Sequence, residues 1–194
     1  MTNRPNLLII NPDQMRADAL AHLGNPAAHT PNLDLLAREA VSFSGAFCQN
    51  PVCVPSRCSF MTGLYPHVNG HRTMGFLLQP HEENLFGDFK SAGYRTISSH
   101  RSDLMAGQYP RYHKALIDEY IKVHPKRPLK YFTPPHHGDD HSFLHGIVPE
   151  KYAKDMDDLI VDGAVRSIQK NAGDRRPFFM FVGLMLPHPP YQIE

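Results

Sequence analysis

The sequence predicts an α/β fold with a mostly parallel sheet flanked by helices, on three observations. Two short unbroken apolar runs, residues 6–10 and 178–184, suit strands buried on both faces. Stretches with helical spacing lie between such runs, the alternation expected of a parallel sheet. Polar residues able to do chemistry, Asp13, Cys53, Arg101 and His188, fall just past predicted strand ends. Sheets of this kind bind ligands there.

Taken in order, the strand at 6–10 ends at Asn11-Pro12-Asp13. A helix opens at Thr30-Pro31, with Thr30 placed to cap and Pro31 suited to the first helical position. Leu33, Leu36, Ala37 and Ala40 give it an apolar stripe. Residues 41–47 alternate and read as a strand. A Pro-containing turn covers 50–56, a short helix 57–64 ends at Gly63, and a helix over 84–92 stops at Gly93. A strand follows at 94–98. Between 108 and 149 Pro and His accumulate and no period is clear, as in a substrate-facing insertion or a mobile loop. A helix is predicted over 150–170 and the last strand over 178–184. The chain reads as one catalytic-domain portion over 1–194, and its end at Glu194, without a closing element, reads as an interruption.

The 194 residues carry a net charge of +1, and 41% are hydrophobic. That balance gives no reason to expect nucleic acid or an anionic membrane as a partner. No apolar run approaches the roughly 20 residues that span a bilayer. No signal-peptide core is visible near Met1, so a cytoplasmic location is the default expectation. The three Cys, 48, 53 and 58, make neither a C-x-x-C pair nor a disulfide framework. Cys48 and Cys58 are expected to be buried, inert thiols. The cluster His136-His137-Gly138-Asp139-Asp140-His141 with His145 lacks the spacing of a preformed metal site and reads as a solvated loop. His67 and His71 read as structural.

The segment Cys53-Val54-Pro55-Ser56-Arg57-Cys58-Ser59-Phe60-Met61-Thr62-Gly63 carries the chemistry. Pro55 fixes a backbone angle before a helix start, and Ser56 is placed to cap it. Cys53 then sits near a helix N-terminus, where the dipole favours negative charge. Arg57 adds a permanent cation with a bidentate fork. Physics alone gives an anion site with a thiol disposed to ionise.

This segment resembles the sulfatase motif, Cys-x-Pro-Ser-Arg followed five residues later by Thr/Leu-Gly. The resemblance implies an alkaline-phosphatase-like three-layer α/β/α fold, here truncated, and a Cys53 oxidised to formylglycine. It implies a divalent cation, Ca²⁺ first, with Mn²⁺ or Mg²⁺ as alternatives, held by Asp13, Gln14 and residue 53. Gln14 stands where the family usually has a second Asp; its amide oxygen can bind a hard cation with less charge. Residues 4–10, 29–34, 64–67 and 93–96 resemble further family segments. Arg101 stands for the family's Lys and can hold a sulfate oxygen. Asp103 stands for its His and suits a helix cap better than a catalytic role. His188, in Pro187-His188-Pro189, resembles the family's His-x-Pro element, where it would contact the sulfate or protonate the leaving oxygen.

The activity implied is hydrolysis of an organic sulfate ester, with a small-molecule or carbohydrate sulfate as substrate and a formylglycine-generating enzyme as partner. Two alternatives stand beside it: a phosphonate monoester or phosphodiester hydrolase sharing the Asp-Gln pair, and a non-catalytic truncated homologue. Self-association is left open.

Overall fold

The computed structural model describes residues 4–99, 104, 110–124, 144–147, 156–188 and 191–193. Among them, β1 (Leu7–Pro12), β2 (Arg95–Ser99), β3 (Glu119–Ile121) and β5 (Phe178–Leu184) form one sheet in the order β1-β5-β2-β3. Every pairing in it is parallel. β4 (Leu144–Ile147) and β6 (Tyr191–Ile193) pair separately, also in parallel. The helices are α1 (Pro31–Glu39), α2 (Cys53–Thr62), α3 (Leu85–Ser91), α4 (Pro110–Leu116) and α5 (Met156–Lys170). No helix among the described residues is long and apolar enough to cross a membrane.

The alternation of β5 builds both faces of the sheet. Phe179 and Phe181 point to a core shared with Val54, Cys58 and Met61 of α2 and Phe86 of α3. Met180 and Val182 point the other way, to Ile97, Ile121 and the α5 residues Ile160 and Ala164. The result is three layers with the sheet in the middle, as predicted. Gly163 allows the close approach of α5: a Cβ there would meet Ile121 Cγ2 at 2.4 Å.

Several boundaries differ from expectation. Residues 41–47 form no strand; Val41, Phe43 and Phe47 are exposed, and none of the described strands pairs with them. Within the stretch that showed no period, α4 and β3 are regular. Pro110 at the first position of α4 was a usable signal, whereas the three residues of β3 are too few to show a pattern. Thr30 precedes α1 without a side-chain cap; its hydroxyl donates to Asp34 Oδ1 at 3.0 Å instead. Asn84 does cap α3, accepting from the amides of Phe86 and Gly87. Residues 125–143, which hold the cluster His136–His141 that reads as a solvated loop, lie outside the described residues.

Candidate active site

β1 carries the site's acid. Leu7 and Ile9 pack against the α2 side of the sheet, and strand alternation puts Asn11 and Asp13 on that same face. The Asp13 amide donates to Leu184 O at 3.2 Å, which ties the end of β1 to the end of β5. Gln14 then turns the chain with a φ of 60°, in the left-handed region that non-glycine residues seldom adopt.

The helix at the motif starts earlier than predicted. Val52 is the N-cap and Cys53 the first helical residue. Ser56 therefore does not cap: it lies inside the first turn, and its amide donates to Val52 O at 2.9 Å. Pro55 fits that turn because its missing N–H would have no intrahelical partner. Gly63 ends α2 at φ 72°, donating to Ser59 O at 2.8 Å. This frame aims Cys53 and Arg57, one turn apart, at Asp13. The Cys53 Sγ lies 3.4 Å from each Asp13 carboxylate oxygen. Arg57 Nη2 lies 3.2 Å from Asp13 Oδ2, both side chains being buried. An ion pair so removed from water is costly to break by deleting one partner.

His188 arrives from the far side. Its amide donates to Met185 O at 2.9 Å, in the turn that leaves β5, and the Leu186–Pro187 peptide in that turn is cis. Asp157, in the first turn of α5, accepts from the amides of Met185 at 2.7 Å and Leu186 at 2.8 Å. Sequence reading missed this contact; an acid at a helix start gave no hint of its distant partner. Donor atoms of Asp13, Cys53 and His188 lie within 4.8 Å of one another. Three of the predicted site residues thus meet, with Arg57 beside them. Gln14 lines a pocket with Asp13, Cys53 and Arg57, an opening of about 340 Å³ also bordered by Asn11, Met15, Cys48, Val52 and Ser56. Arg101 and Asp103 lie outside the described residues.

The other two cysteines part company. Cys58 is buried as expected, and burial, followed by the charge of Glu82, pushes its thiol up to about 12. It is inert at neutral pH. Cys48 is exposed and borders the pocket, against expectation. No element packs over its loop among the described residues. His71 is structural as predicted: its Nδ1 faces Phe76 O at 2.6 Å and its Nε2 faces Glu82 at 2.7 Å.

A second cluster has the atom order of a nucleophile, base and acid: Ser42 Oγ lies 3.1 Å from His22 Nε2, and His22 Nδ1 lies 3.5 Å from Asp34. The same Asp34 oxygen also accepts from the Thr30 hydroxyl and from the His22 amide at 3.2 Å. Its carboxylate pins the turn before α1 to that helix.

The topology and the position of the site define an alkaline-phosphatase-like α/β fold. Phosphonate monoester hydrolase of Agrobacterium radiobacter superposes with a TM-score of 0.72 at 23% identity, over 98% of this chain and 42% of that one. A protein solved with its substrate D-glucosamine-2-N,6-O-disulfate superposes with a TM-score of 0.70 at 24% identity, over 96% of this chain and 35% of that one. The sulfatase family profile matches residues 5–194, and the chain belongs to the sulfatase family. It is 34% identical to the ulvan-active sulfatase of Formosa agariphila, over 97% of this chain and 36% of the relative. It is 28% identical to mouse iduronate 2-sulfatase, over 98% of this chain and 36% of the relative. The chain thus spans about a third of the length of these curated relatives.

Proposed function

We propose that this chain carries the nucleophile of an enzyme that hydrolyses organic sulfate esters, with carbohydrate sulfates as the substrate class. The observation that carries the reading is the placing of Cys53 at the first position of α2, against Asp13 and one turn from buried Arg57. The relatives' names and the sugar disulfate bound to a structural neighbour support the substrate class.

Matured to formylglycine, residue 53 would supply a hydrated aldehyde, one hydroxyl to attack sulfur and a second to expel sulfate afterwards. The chain's own residues do the rest. Arg57 directs its fork and charge at the oxygens on which negative charge gathers. The start of α2 adds the positive end of its dipole. His188, whose ring lies beside Cys53 and Asp13, would give a proton to the departing alcohol oxygen, and Arg101 would hold a further sulfate oxygen. Asp13, the oxygen of Gln14 and residue 53 would hold a divalent cation, Ca²⁺ first. The donor set fits, being a buried carboxylate with amide oxygens on one rim. The cation would supply Lewis-acid stabilisation of the same charge.

The test is Cys53→Ala assayed on an aryl sulfate, with protein made in a host that has the maturation enzyme. Hydrolysis is expected to vanish; retained turnover would sink the proposal. The Asp13-Gln14 pair also suits a phosphonate monoester hydrolase. Parallel assays on aryl sulfate and aryl phosphonate decide, with the sulfate expected to be the faster.

A further inference from the structure

Asn11 breaks the pattern of its strand. Leu7 and Ile9 fill the α2 side of β1 with apolar side chains, and a third apolar residue at position 11 would continue that packing. An amide stands there instead, two residues before Asp13. Its nitrogen makes a long contact, 3.3 Å, to Pro12 O. Its oxygen is buried and meets no hydrogen-bond partner among the described residues. A buried acceptor without a donor is a standing penalty on the fold, which an apolar residue of the same shape would remove. Such a group calls for an explanation in what the site does.

The side chain also borders the pocket of Asp13, Gln14, Cys53 and Arg57. The final torsion of an Asn side chain is broad and two-fold, so rotating it exchanges which polar atom faces that pocket. Amide oxygens are ordinary ligands of Ca²⁺ and accept equally well from its bound water. Arg57 already supplies the local N–H donors that an anion needs. The group for which Asn11 is suited is therefore a cation beside Asp13.

We infer that Asn11 is an oxygen donor to the cation of this site, directly or through one of the cation's waters, which extends the ligand set beyond Asp13, Gln14 and residue 53. The inference rests on the cation reading given above. Its mark is a trade: a residue kept for a ligand weakens the empty protein and strengthens the loaded one.

The experiment uses the 194-residue chain with Ca²⁺ as the probe, by titration calorimetry and by melting in chelator and in Ca²⁺. Wild type is compared with Asn11→Leu and Asn11→Asp. Asn11→Leu is expected to melt above wild type in chelator, and to bind Ca²⁺ about tenfold or more weakly. Asn11→Asp is expected to bind at least as tightly as wild type. Calcium affinity unchanged in Asn11→Leu, or a lower melting point in chelator, overturns the inference. Should Asn11→Leu fail to fold, Asn11→Asp decides, and weaker binding by it counts against. A wild-type chain that binds no Ca²⁺ removes the cation reading and this inference together. Loss of sulfate hydrolysis with calcium binding intact would touch only the proposed reaction.

Discussion

β5 and the segment 41–47 both read as strands in the sequence and meet opposite fates. In β5, Phe179, Met180 and Phe181 are at most 1% exposed, because β1 and β2 flank the strand and helices cover both faces. In the segment, Val41 is 79%, Phe43 76% and Phe47 91% exposed, and the backbone pairs with none of the described strands. Strand propensity measures fit to a pleated, half-buried surface. Where no such surface adjoins, the pattern has nothing to act on. β1 stands between the two cases: among the described residues it pairs only with β5, with Leu7 and Ile9 packed inward and Leu8 and Ile10 exposed.

The contrast can be broken by mutation. Phe179→Ala has the largest expected effect, about 3–5 kcal/mol of destabilisation, since that ring packs on Phe86 and Phe89 in the α2-side core. Urea unfolding checks it, and a loss below 1 kcal/mol would mean that this core is loosely built. Gly163→Ala tests the opposite face. Its Cβ would have to displace Ile121 Cγ2, at an expected cost of about 1–3 kcal/mol; an unchanged midpoint would show that α5 can shift freely on the sheet. Phe43→Ser should change stability by no more than about 0.5 kcal/mol. A large loss there would show that the segment is packed in solution.

The loop after α2 adds a pH test. Burial raises the Glu82 carboxyl, but the Gln79 amide, His71 and Asn69 outweigh it, and the net shift is downward. A group whose folded value is depressed lends stability above its unfolded value and loses it as pH falls through the folded one. Stability should therefore decline below the ordinary glutamate value of about 4.3. Glu82→Gln should flatten that decline, read from circular dichroism melts at stepped pH. Equal slopes in the two proteins would place the acid sensitivity elsewhere, for instance at Asp118 or Glu119, both also depressed.

Much of the framework was legible because its signals are local. Continuous apolar runs gave β1 and β5, helical spacing gave α1 and α5, and Gly63 and Gly93 marked ends that the structure keeps at positive φ. Asp13, Cys53, Arg57 and His188 were legible as a set through their motif places, although they lie up to 175 residues apart (188 less 13). What escaped depends on long-range context. Ser56 looks like a cap until Val52 is seen to occupy that place. Cys48 and Cys58 flank Cys53 at equal spacing, yet only the helix buries one of them. The role of Asp157 depends on a turn 28 residues away.

That contact has a mechanical consequence. Cys53 and Arg57 hang from the helix on one side of the sheet, while the turn that delivers His188 is gripped by a helix on the other. The reactive groups are therefore held like the jaws of a caliper whose spacing is the thickness of the sandwich itself. The amides of Met185 and Leu186 should exchange with solvent only in openings that also free the start of α5, so their protection gauges the seating of that whole layer.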